Sequence, residues 1–226
     1  AGTPGPLVEA QLRAQGYTLG HFPQSFEYST VGGWVVTRSS GQQSLRYGRI
    51  EQLFAGGRME TPVGPLTLPT FPAASAGPDL RELVLGSEGR FGILTEATVR
   101  VTPLPEHESF HAIFLPDWDR AEAAVRALVQ RKLPLSMLRL SNGIETETNL
   151  TLAGHERLVS AMEKYLSWRG CSGGKCMLML GVSADKRTAR HALREARRLL
   201  GHYGAVYIGP AMGSKWAANR FKGPYL

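Results

Sequence analysis

The alternation of apolar and polar positions changes character near Pro103-Leu104-Pro105. Before that point, short β-type runs are separated by glycines. Pro6 to Gln15 carries Leu7, Val8 and Leu12 on one face, which predicts a short amphipathic helix with Pro near its start and Gly16 at its end. Gly20 to Ser40 is expected as a loop through Pro23, a Gly-Gly pair and the compact run Trp34-Val35-Val36-Thr37. Ile50 to Glu60 and Leu66 to Leu68 predict strands around the turn Thr61-Pro62-Val63-Gly64. Asp79 to Leu85 has helical spacing of Leu80, Leu83 and Val84, with Asp79 as N-cap behind Pro78. Ile93 to Thr102 is expected as a strand in which Ile93, Thr95, Ala97, Val99 and Val101 alternate against Leu94, Glu96, Thr98, Arg100 and Thr102.

Beyond Pro105, helices and strands alternate more regularly. Strands are expected at Phe110 to Leu115, Leu135 to Leu140, Cys176 to Val182 and Ala205 to Ile208. Helices are expected at Trp118 to Arg131, His155 to Trp168 and Lys186 to Gly201. That order predicts an α+β layer of ferredoxin-like type with helices packed on one face.

Composition narrows the picture modestly. The 226 residues are 42% hydrophobic, enough for one large or two small cores. No apolar run is long enough to span a membrane, and Ala1-Gly2-Thr3-Pro4-Gly5 has no signal-peptide pattern. The two cysteines, Cys171 and Cys176, are expected as a reduced pair in a cytoplasmic protein. A formal charge of +7 points to an anionic partner or to a solvated basic surface. Much of that charge sits on one helix, where Lys186, Arg187, Arg190, Arg194, Arg197 and Arg198 flank an apolar stripe. A solvated outer face explains it, with nucleic-acid or anionic-membrane contact as the alternative; no aromatics interleave for base stacking. The six histidines include no metal-ligand pair, and His21 lies nearest the segments described next.

Two glycine-rich stretches can carry chemistry. Ser29-Thr30-Val31-Gly32-Gly33-Trp34 sets paired glycines beside hydroxyls, which admits a flat or anionic ligand and equally marks a turn or bulge. Gly86-Ser87-Glu88-Gly89-Arg90-Phe91-Gly92 lies between a predicted helix and a predicted strand. It matches neither a Walker loop nor a Rossmann fingerprint. Trp34, Tyr28 and Phe91 are expected as packing residues.

Together these stretches resemble a known family. Glu27-Tyr28-Ser29-Thr30-Val31-Gly32-Gly33-Trp34, then Thr37-Arg38-Ser39-Ser40-Gly41 and Tyr47-Gly48-Arg49-Ile50-Glu51, are similar to the FAD-binding region of alkylglycerone-phosphate synthases, members of the vanillyl alcohol oxidase superfamily. Ala76-Gly77-Pro78-Asp79-Leu80 and Gly86-Ser87-Glu88-Gly89, with Gly92-Ile93-Leu94-Thr95-Glu96-Ala97, resemble that superfamily's signature near the end of its PCMH-type FAD-binding domain. Arg90-Phe91 stands where Thr-Leu is usual. The resemblance implies the second half of such a domain over residues 1–104 and an incomplete cap over 105–226.

The cofactor implied is FAD. Flavin contacts are expected at Gln24, Ser25, Phe26, Glu27, Tyr28, Ser29 and Thr30; at Thr37, Arg38, Ser39 and Ser40; and at Glu88, Gly89, Arg90, Phe91, Gly92, Ile93 and Leu94. Gly89 and Gly92 are expected to permit close approach to the nucleotide. The family's pyrophosphate loop and its catalytic Tyr and His cluster have no counterpart in these residues, and Arg220 to Leu226 resembles the run leading to its substrate-binding Arg. No catalytic or metal residue is therefore expected, and the chain is expected to be an inactive fragment. The parent activity implied is that of an FAD-dependent oxidoreductase-fold transferase of ether-lipid synthesis. In that family the flavin N5 captures the dihydroxyacetone phosphate moiety while an alcohol replaces the acid. The implied partners are a small-molecule substrate, phosphorylated or lipid-like, a second copy in a homodimer and a peripheral membrane contact, with no nucleic acid. A 2-hydroxy-acid dehydrogenase and a non-enzymatic basic binding domain are the alternatives.

Overall fold

The computed structural model describes residues 1–72, 75–152 and 156–222. His155, the expected first residue of one helix, and residues 223–226 of the carboxy-terminal run lie outside them. The chain forms two compact units, Ala1–Leu104 with the segment that begins at Arg220, and Pro105–Asn219.

In the first unit, α1 spans Gly5–Ala14 with Pro in its first turn. Its polar Glu9 is buried because the carboxylate accepts hydrogen bonds from Thr18 Oγ1 and from the Leu19 and Gly20 N–H groups. Strand β1 (Tyr17–Thr18) follows, then helices α2 (Val31–Val36), α3 (Ser44–Tyr47) and α4 (Ile50–Leu53). Strands β2 (Phe54–Thr61) and β3 (Gly64–Leu68) make an antiparallel hairpin in which Thr61 faces Gly64 across Pro62-Val63. Helix α5 (Arg81–Val84), β4 (Ile93–Val99) and β5 (Thr102–Pro103) complete the unit. The sheet order is β3-β2-β4, and β5 pairs with β1.

Four expectations change here. The Gly-Gly pair and most of the run after it are helical, because Thr30 caps α2 by accepting the Gly33 N–H. Ile50 to Leu53 is one helical turn, not strand. The helix behind Asp79 is a single turn with Leu80 in the cap position, although Asp79 Oδ1 still accepts the Arg81 N–H at 3.0 Å. The alternation in β4 breaks phase. Leu94 pairs with Met59 and Glu96 with Arg58, so Thr95 is an extra residue. That bulge flips the face, burying Leu94 and leaving Ile93 74% exposed.

In the second unit the order is β6 (His107–Leu115), α6 (Trp118–Gln130), β7 (Met137–Ser141), α7 (Gly143–Leu152), α8 (Glu156–Trp168), β8 (Cys176–Ala184), α9 (Lys186–Gly201), β9 (Val206–Gly209) and α10 (Pro210–Asn219). The sheet runs β7-β8-β6-β9 with antiparallel neighbours. Without α7, α8 and α10 this is the βαββαβ order of a ferredoxin-like layer. The expectation of helices on one face is corrected, since both faces are covered. Ile113, Leu115, Leu178 and Leu180 pack with α6 and α9, while Phe110, Phe114, Met177 and Met179 pack with α7, α8 and α10. The central strand β8 is buried along its whole length, so its sequence reads as a continuous apolar run rather than an alternation. Cys171 and Cys176 are free and buried, and burial raises both thiol pKa values.

Candidate functional site

The structure joins two of the three expected contact segments. Where α2 ends, Val35 and Val36 turn their carbonyls to the glycine-rich loop, accepting the Gly86 N–H at 3.3 Å and the Glu88 N–H at 2.9 Å. Residues 37–40 therefore lie against the start of the 86–94 loop. Each of the two segments turns tightly. Arg38 adopts φ +54° and Glu88 φ +50°, a region that few residues with a Cβ enter. Arg38 is held by an ion pair to Glu82, and its carbonyl accepts from Arg49 Nη2 at 3.2 Å.

Ser39 is fixed from beneath. Its Oγ is 2.7 Å from His21 Nε2. His21 is fully buried, 5.1 Å from the Trp34 ring, and burial lowers its pKa to about 4, so the imidazole is neutral at neutral pH. Its Nδ1 has no hydrogen-bond partner among the described residues.

The 24–30 segment divides by role. Ser29 Oγ donates to the Ser25 carbonyl at 2.7 Å and accepts from Trp34 Nε1 at 2.6 Å, and Thr30 caps α2. Phe26 is buried, stacked on Trp34 and 4.8 Å from Phe221. Ser29, Thr30 and Phe26 thus hold the fold together, and Gln24, Ser25, Glu27 and Tyr28 are exposed. Trp34 packs as expected, whereas Tyr28 is 74% and Phe91 53% exposed, which corrects the packing role expected of both.

The glycines of the loop serve different ends. A Cβ on Gly92 would stand 2.1 Å from the Glu60 carbonyl oxygen, so this glycine exists for the approach of β2. At Gly89, with φ +81°, a Cβ would meet nothing within 4 Å. Gly32 is small for a third reason: its N–H donates to the Ala1 carbonyl at 2.7 Å, and a Cβ there would press on Ala1. Leu94 belongs to the core, while Arg90 and Ile93 are exposed.

These residues fit a flavin nucleotide. Ser87, left out of the expected contacts although it lies inside the motif, is buried at 6% exposure, and its Oγ has no partner among the described residues. A buried hydroxyl without a partner carries a desolvation cost that a polar ligand atom removes. Two residues on lies the open backbone at Gly89, and the adjoining 37–40 turn carries the Ser40 hydroxyl and that of Thr37, which donates to the Gly33 carbonyl at 2.8 Å and keeps its acceptor side for a ligand. His21 and Ser87 are thus the residues that motif matching undervalued. The sequence signal for Ser87 was a small hydroxyl beside Gly86 inside the motif; the positive φ of its neighbours Gly86 and Glu88 is seen only in the structure. Among the described residues no group of three His, Cys, Asp or Glu side chains gathers as a metal site. No described helix is long and apolar enough to cross a membrane.

Comparison with known proteins decides the family. A profile described as "FAD binding domain" matches residues 1–67. A second, described as "FAD linked oxidases, C-terminal domain", matches residues 104–219. The chain belongs to the FAD-linked oxidases. FAD is accordingly the cofactor of this FAD-linked oxidase. Alkyldihydroxyacetonephosphate synthase of Dictyostelium discoideum is 33% identical over the whole chain, and that of Trypanosoma brucei brucei is 31% identical. The chain spans 38% of the length of each. A solved structure of an alkyldihydroxyacetonephosphate synthase superposes with a TM-score of 0.85 at 32% identity, covering 98% of this chain and 41% of that one.

Proposed function

We propose that these residues form the middle portion of a longer FAD-dependent enzyme with alkyldihydroxyacetonephosphate synthase activity, exchanging the acyl group of an acylated dihydroxyacetone phosphate for an alkyl group. The observation that carries this reading is the 33% identity to such a synthase along the entire chain, both units included. In this reading residues 1–104 supply the later half of the flavin domain, and the second unit is the cap.

Bound FAD supplies the reactive centre. The chain's own contribution is to hold it. Ser87, Thr37 and Ser40 offer hydroxyls, and Gly89 lets the backbone come near. Neutral His21 keeps Ser39 in place without adding charge beneath the site. The expected contacts at residues 24–30, 37–40 and 88–94 belong to this proposal, as does the phosphorylated, lipid-like nature of the substrate. Within the second unit, a cavity of about 510 Å³ is lined by Met162, Met177, Met179, Met212 and Trp216. Methionines adapt to an unbranched chain, so this volume suits the apolar part of such a substrate.

The test is an exchange assay on the complete polypeptide, with acyl-dihydroxyacetone phosphate and a labelled long-chain alcohol. Label transferred into an ether product, with fatty acid released in equal amount, is the expected result. Flavin reduced by D-lactate without any exchange would replace this reading with a 2-hydroxy-acid dehydrogenase.

A further inference from the structure

The basic helix α9 is not absorbed by the flavin site, and its arginines do not simply fan into solvent. Arg190, Arg194, Arg197 and Arg198 recur at i, i+4, i+7 and i+8, along one flank of the buried stripe Ala189, Ala192, Ala196 and Leu200. That flank lies over β9, one of the two edge strands of the sheet. Arg169, just past the end of α8, reaches the same opening, and the five guanidinium-bearing residues line one groove of about 640 Å³. Ile113, Ala205 and Tyr207 also line it.

The groove is partly preorganised. The Arg197 guanidinium carbon lies 4.0 Å from the centre of the Tyr207 ring, and the Tyr207 hydroxyl is 2.8 Å from His111 Nδ1. Arg169 Nη1 donates to the Tyr165 hydroxyl at 2.8 Å, and Arg190 Nε donates to the Lys186 carbonyl. Neutralisation is sparse. Arg198 pairs with Glu195 at 3.3 Å, and among the described residues no carboxylate pairs with Arg169, Arg190, Arg194 or Arg197.

Like charges from two helices gathered in one concavity repel one another, and the potential they focus draws in a counter-ion. Guanidinium forks match pairs of phosphate oxygens. A flat basic surface would suit a membrane or a nucleic-acid backbone, whereas a concave, half-open groove of this size suits a small ligand. We propose that this groove, contained within the second unit, is a binding site for a compact soluble anion carrying two or more phosphate groups.

Calorimetric titration of the full chain with inorganic tripolyphosphate tests this. The groove variant is Arg194→Gln with Arg197→Gln. The control, Arg120→Gln with Arg126→Gln, removes the same charge from α6. Saturable binding that salt weakens is expected in the parent and the control, reduced about tenfold or more in the groove variant, with circular dichroism unchanged. Should the groove variant lose its fold, Arg169→Gln with Arg190→Gln reads the same groove from its other residues and is expected to show the same loss. Absence of saturable binding, or an equal loss in groove variant and control, would overturn the proposal. So would capture by phosphatidic-acid vesicles without binding of free tripolyphosphate.

Discussion

At Gly92 an added Cβ would collide with the Glu60 carbonyl, whereas at Gly89 it would enter open space. The same substitution should therefore separate folding from cofactor binding within one loop. Gly92→Ala must push β4 away from β2 and is expected to cost about 2–3 kcal/mol, read as a lowered midpoint in urea. Gly89→Ala carries only the backbone cost of positive φ, about 1–2 kcal/mol, so its larger effect is expected on flavin occupancy. His21 gives a second residue-scale test. Burial holds its folded-state pKa at about 4, below the ordinary 6.5. As pH falls the unfolded chain takes up the proton first, so stability is full above about pH 6.5 and declines towards about pH 4, by up to about 3 kcal/mol. His21→Gln should flatten that slope in pH-dependent denaturation. An unchanged slope would show that His21 is not the group responsible.

Among the elements, α10 illustrates how packing overrides local preference. Gly213 lies in the middle of this helix, where glycine is unfavourable. A Cβ at that position would fall 2.0 Å from the Phe110 carbonyl oxygen, so α10 sits directly on β6. Gly213→Ala is expected to destabilise the second unit by about 2–3 kcal/mol despite alanine's better helix propensity, measured by thermal denaturation. This also explains what the sequence reveals and what it hides. Helices α6 and α9 were legible because each has an apolar stripe and an aspartate cap, Asp117 and Asp185. Helix α10 was hidden by Gly213 although Pro210 marks its start, and α2 was hidden by Gly32 and Gly33. The cap of α7, Asn142, whose Oδ1 accepts the Glu145 N–H at 2.8 Å, was a readable signal that no apolar stripe reinforced. The phase of β4 was unreadable because the bulge at Thr95 depends on pairing with a strand more than thirty residues away.

For the molecule as a whole, the site was legible as motif and only partly as geometry. Linear order identified the glycine loop and the hydroxyl-rich turns. It could not show that the carbonyls of α2 hold the loop through Gly86 and Glu88, that Ser29 and Thr30 are engaged in building α2, or that Ser87 is buried with its hydroxyl unsatisfied. The 37–40 turn and the 86–92 loop are proposed to form one wall of a flavin site, in a chain that spans 38% of the length of its relatives. Visible absorption of the purified complete polypeptide, parent against Ser87→Ala and Gly89→Val, tests it most directly. A flavin band at one FAD per chain is expected in the parent, with clear loss of occupancy in both variants while the fold is retained. A colourless product is expected when residues 1–226 are expressed alone. Full occupancy in both variants, or a parent that takes up no FAD even on reconstitution, would contradict it.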